Sequence, residues 1–76
     1  MKISIDNRVR ETRKRLKLSQ QELAIKTGLS RQAIIAIEKK RIVPSIRTGL
    51  LIAEALQCSL AELFWIKPPV KEVEGV

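Results

Sequence analysis

Seventy-six residues make one small domain, with a core near the lower limit for independent folding. The chain carries 15 Lys and Arg against 8 Asp and Glu, a net charge of +7 that calls for a polyanionic partner. No histidine and a single cysteine, Cys58, exclude an internal disulfide, the usual zinc sites and the usual catalytic triads, and fit a reducing cytosol. No enzymatic role, metal or cofactor is expected, and no signal peptide or membrane-length apolar run is present.

The chain opens with MKISI, which alternates polar and apolar and reads either as a short strand or as an ordered lead-in. Asp6 or Asn7 can cap a first helix over about 7–17, whose inward face is Val9, Thr12, Arg13 and Leu16. Arg13 on that face needs a partner, because a buried guanidinium is costly alone. Glu38, at the edge of a later helix, is the candidate. The other cations here, Arg8, Arg10, Lys14, Arg15 and Lys17, form a basic skirt.

Ser19 and Glu22 make a capping box, Ser-x-x-Glu, that opens a second helix offering Leu23 and Ala24 to the core. It stops at Thr27-Gly28-Leu29, because Gly28 can take the left-handed conformation of a sharp exit. Ser30 caps a third helix over about 31–39. Ala33, Ile34 and Ile37 fall on its buried side, with Arg31, Gln32, Ile35, Ala36 and Lys39 opposite. Arg and Gln can bond guanine and adenine edges bidentately, and an aliphatic group can meet a thymine methyl. The third helix is therefore expected to read bases through Arg31, Gln32, Ile35 and Ala36.

After Lys39-Lys40-Arg41, Pro44-Ser45 reads as a stop followed by a new cap. A fourth helix over about 46–56 is expected to bury Leu50, Ile52, Ala53 and Leu56, with Gly49 inside it where another helix comes close. Ser59 and Glu62 form a second capping box for a short fifth helix, 60 to about 65. Cys58, among apolar neighbours, is expected as a small core filler. From Lys67 a proline-containing tail should be extended. Residues 1–66 are thus read as the domain and 67–76 as its tail.

The segment 19–41 resembles the helix-turn-helix of the phage-repressor and Cro-type family, also called the xenobiotic-response-element family of regulators. The residues that carry the likeness are Gln20 opening the second helix, Ala24 at the crossing, Gly28 in the turn, and Ile34 and Ile37 in the core. The run Ser30-Arg31-Gln32-Ala33-Ile34 is close to the family's usual start of the recognition helix, and the likeness extends from about Asn7 to Phe64. It implies an all-α, five-helix bundle of the lambda-repressor-like type and an Arg13–Glu38 pair tying the first helix to the third. It also implies that Lys39, Lys40 and Arg41 lie where the family's loop passes the DNA backbone. Many members place glycine after the first, third and fourth helices, where this chain has Lys17, Lys40 and Gln57. A left-handed residue other than glycine costs roughly 1 kcal/mol at each.

The basic character is uneven: residues 1–47 carry net +9 and residues 48–76 net −2. That asymmetry favours a docking face on the half that holds the helix-turn-helix. The expected function is sequence-specific binding of double-stranded DNA by a cytoplasmic regulator, a repressor, at a palindromic operator. Ser19 and Gln20, at the positive end of the second helix, and Lys39, Lys40 and Arg41 are expected on phosphates. A homodimer would bring two reading helices to successive grooves. Trp65 and Ile66 are candidates for its interface, Trp65 alternatively folding back to seal the core. An antitoxin that also holds a toxin is a variant of this reading, and a DNA-independent interaction module is the alternative class.

Overall fold

The computed structural model describes residues 4–67. In chain order they form β1 (Ser4–Asn7), α1 (Val9–Arg15), α2 (Gln20–Thr27), α3 (Arg31–Glu38), α4 (Ile46–Ala55), α5 (Leu60–Leu63) and β2 (Phe64–Lys67). The five expected helices are present. The all-α expectation is corrected by a two-stranded antiparallel sheet in which β1 pairs with β2, Ser4 opposite Lys67 and Asn7 opposite Phe64. Phe64 leaves the helix with φ −129° and ψ 141°, so α5 ends two residues earlier than expected. Aromatic and β-branched residues at 64–66 suit a pleated surface better than another helical turn. Lys67, assigned to the tail, is the last residue of β2; the rest of that tail lies outside the described residues.

α1 starts at Val9 rather than Asn7. Arg8 stands at its N-cap without a side-chain bond, and Asn7 Oδ1 accepts from Val9 N at 3.0 Å from one residue further out. Asn7 Nδ2 donates to Ile37 O at 3.1 Å, so this buried side chain also ties β1 to the end of α3.

The core is aliphatic: Val9, Leu23, Ile34, Ile37, Ile52, Leu56 and Leu63 are fully buried, with Ala24 and Ala53 between them. On α4 the buried stripe is Gly49, Ile52 and Ala53, with Leu56 at the C-cap continuing it at i, i+3, i+4, i+7. Leu50, expected on that stripe, stands off it, 51% exposed, and Leu16, expected on the inner face of the first helix, is the exposed C-cap of α1. Gly49 is explained by a close approach, since a Cβ there would lie 2.9 Å from Leu60 Cδ1. Cys58 packs half-buried against the core, and burial together with Glu62 pushes its thiol pKa up, which keeps it protonated.

All four longer helices end in the same way. The left-handed residues are Lys17 (φ 60°), Gly28 (φ 75°), Lys40 (φ 63°) and Gln57 (φ 61°). Behind each, a 6→1 backbone bond closes the Schellman turn: Leu18 N to Arg13 O, Leu29 N to Ala24 O, Arg41 N to Ala36 O, and Cys58 N to Ala53 O. The three positions where the family's glycine is missing are, among the described residues, the three non-glycine residues with positive φ.

Candidate nucleic-acid interface

The site is built from the ends of α2 and α3. Ser19 Oγ accepts from Glu22 N at 3.0 Å, and Glu22 Oε1 accepts from Ser19 N at 2.7 Å, the full capping box. Each interaction satisfies an amide that the first turn would otherwise leave orphaned. Gly28 then turns the chain, and Ser30 Oγ accepts from Ala33 N at 3.1 Å to start α3.

α3 buries Ile34, Ile37 and Glu38 and leaves Arg31 and Gln32 exposed at its first turn. Among the described residues neither Arg31 nor Gln32 has a side-chain hydrogen bond or ion pair. Ile35 and Ala36 are half-buried rather than fully outward. Lys39, Lys40 and Arg41 follow as exposed cations just past the C-terminal end of α3.

Beneath this surface lies a buried ion pair. Arg13 Nε donates to Glu38 Oε2 at 2.6 Å, Nη2 donates to Glu38 Oε1 at 3.2 Å, and Nη1 donates to Leu18 O at 2.8 Å. Both residues are only 7% exposed, so the forked geometry must make up for lost hydration. Gln20 adds a contact the sequence reading did not contain: its Nε2 donates to Glu38 Oε1 at 3.1 Å. A side-chain amide has two protons, so one is fixed on Glu38 and the other stays free. Gln20 therefore joins the opening of α2 to the pair that joins α1 to α3.

Two more contacts were invisible in the sequence. Lys40 Nζ lies 3.3 Å from Asp6 Oδ1 on β1. The Asn7 backbone N–H, 2.8 Å from the same oxygen, and then Lys40 hold the Asp6 carboxyl below its usual pKa. Arg8 places its guanidinium 4.7 Å from the centroid of the Trp65 ring, which half-buries the indole. Both contacts join residues more than 30 positions apart, and no local pattern announces them. On the side of β2, a groove of about 410 Å³ is lined by Ile5, Val43, Ile46, Phe64, Trp65 and Ile66. Ile66 is 62% exposed there.

A tight turn at Gly28 between the capped helices α2 and α3, free polar side chains at the start of α3 and a polar network behind them define a helix-turn-helix of the DNA-binding class. The helix-turn-helix family model matches residues 9–63, and the chain belongs to this Cro/C1-type family of transcriptional regulators. It is 38% identical over 61 residues to the HTH-type transcriptional regulator YgzD of Bacillus subtilis, covering 80% of this chain and 92% of that protein. An HTH-type transcriptional regulator of Methanothermobacter thermautotrophicus is 52% identical over 48 residues, 63% of this chain and 70% of the other. Among solved structures, the restriction-modification controller protein C.AhdI from Aeromonas hydrophila superposes with a TM-score of 0.69 at 33% identity, covering 71% of this chain and 82% of that one.

Proposed function

We propose that the protein is a sequence-specific repressor that binds double-stranded DNA as a homodimer, reading the major groove with α3. The observation that carries this reading is the first turn of α3. Arg31 and Gln32 stand exposed and unpaired among the described residues, on a helix whose other side is locked into the core. Side chains of these types discriminate base edges, each good bidentate contact being worth about 1–3 kcal/mol. Ile35 and Ala36, half-buried behind them, would supply the apolar contact to a thymine methyl.

Phosphate contacts would fix the register. Ser19 and Gln20 sit at the N-terminus of α2, where free backbone amides and the helix dipole favour an anion. The second amide proton of Gln20 is available to a phosphate while Glu38 holds the first. Lys39, Lys40 and Arg41 extend the contact past the end of α3. Occupying an operator blocks it without further machinery, and this is why repression is the reading taken.

Selection of sites from random duplex DNA at stated salt tests the proposal. Wild type should return one motif with two-fold symmetry. Arg31→Ala and Gln32→Ala should each cost about 1–3 kcal/mol on that motif and relax one position of it. Lys40→Ala should weaken all sequences alike and make the salt dependence shallower. A selection in which Arg31→Ala returns the wild-type motif at wild-type affinity rules out base reading by that residue.

A further inference from the structure

The four left-handed helix ends are alike in backbone but not in what anchors them. After α1, α2 and α4, the residue following the left-handed one is Leu18, Leu29 or Cys58, and each packs against the core. This apolar contact ordinarily accompanies such a turn. After α3 the corresponding residue is Arg41, which is exposed. The turn that ends the proposed reading helix has no apolar anchor of that kind. Its left-handed residue is instead joined by charge to another element, through Lys40 Nζ to Asp6 Oδ1 at 3.3 Å. Of the three strained positions, Lys40 alone among the described residues has its side chain in an ion pair.

The two partners differ in freedom. The Lys40 side chain is 47% exposed, so a polyanion has access to it, while the Asp6 side chain is only 23% exposed. Asp6 is fixed in β1, where its Oδ1 also accepts from Asn7 N, and Asn7 in turn donates to Ile37 O at the end of α3. A carboxylate thus sits rigidly beside one of the cations expected on the DNA backbone.

We propose that Asp6 competes with DNA phosphate for Lys40, setting how strongly the protein holds DNA of any sequence. The inference rests on the reading of Lys40 as a phosphate contact. In the free protein Asp6 neutralises Lys40 and keeps the turn in order. On DNA the ammonium must exchange a carboxylate for a phosphate, and part of the counterion-release gain is lost to breaking the pair. The exchange carries no base information, so it lowers operator and random-sequence affinity together.

The test uses the full chain and a duplex of random sequence, titrated over a range of salt concentrations, with Asp6→Asn, Lys40→Ala and the double variant. Asn keeps the oxygen that caps Asn7 N and removes only the charge, and thermal melts confirm that each variant is folded. Asp6→Asn should tighten binding by about two- to five-fold, as expected for a partly exposed ion pair, and steepen the salt dependence. In the Lys40→Ala background the same change should have little effect. Weaker or unchanged binding by Asp6→Asn overturns the proposal, because Asp6 would then be aiming Lys40 or be uninvolved. Equal tightening with and without Lys40 also overturns it, since that marks long-range repulsion between Asp6 and DNA. Should Lys40→Ala bind and respond to salt like wild type, the phosphate contact itself fails, and this outcome is separable from the others.

Discussion

Arg13 and Glu38 show how one buried pair can serve both stability and the site. Arg13 stands among apolar residues on the inner face of α1, and its three nitrogen donors all find oxygen acceptors. Glu38 spends one oxygen on Arg13 Nε and shares the other between Arg13 Nη2 and Gln20 Nε2. Removing either partner strands the other charge out of water, which costs about 3–5 kcal/mol for a well-buried pair. For a domain this small that is a large fraction of the total stability. Thermal melts of Arg13→Met, Glu38→Gln and the double variant should show strongly non-additive losses, the double variant recovering much of the damage of either single change. Additive losses would mean that the two side chains do not act as a unit. The pairing was legible in the sequence because a guanidinium on an apolar stripe demands an acceptor. Gln20 was not legible as the third member: a polar residue opening a helix gives no sign of which way its amide points.

The helix ends are the elements most fully written in the sequence. Four serines, Ser19, Ser30, Ser45 and Ser59, cap α2 to α5, and two of them complete capping boxes with a glutamate three places on. At the other ends, Lys17, Lys40 and Gln57 occupy left-handed turns where glycine would be relaxed. Lys17→Gly and Gln57→Gly should therefore each stabilise the fold, by up to about 1 kcal/mol less the extra unfolded-state entropy that glycine brings. In a domain of this size that is a rise in melting temperature of up to about 4–8 °C, visible in circular dichroism. A fall in both would show that those side chains contribute more than the backbone strain they cause. The strands were poorly legible for a different reason. Four residues are too few for periodicity to separate a strand from a helical turn, and β1 finds its partner 57 or more residues away. Leu50 is illegible for a related reason: an aliphatic residue inside a helix reads as core, although this one lies outside the buried stripe.

The whole molecule leaves an apolar side opposite in character to its basic loop. Val43 is 62% exposed, Ile46 74%, Leu50 51% and Ile66 62%. Val43, Ile46 and Ile66 line one groove with Ile5, Phe64 and Trp65, and Leu50 stands one turn along α4 from Ile46. Exposed aliphatics gathered in one groove, as Val43, Ile46 and Ile66 are, suit the apolar surface of a partner. A second copy of the chain is the occupant that the proposed function requires, because one reading helix spans too few base pairs to specify a site alone. Two-fold pairing would let each chain present the same groove to the other, setting two α3 helices about 34 Å apart on successive turns of DNA. In that arrangement Ile46 and Ile66 are the anchors. Trp65 lines the same groove while Arg8 stands over its ring and Asp6 is its partner in the sheet. Sedimentation of wild type should show a concentration-dependent dimer, and Ile46→Glu or Ile66→Glu should shift it to a folded monomer by burying an unpaired charge in the contact. The monomer should keep weak binding to a half-site and lose the gain from the second half-site, because α3 is untouched by either change. A wild type that stays monomeric at high micromolar concentration, with Ile46→Glu binding a full palindrome equally well, would place the apolar groove outside DNA recognition altogether.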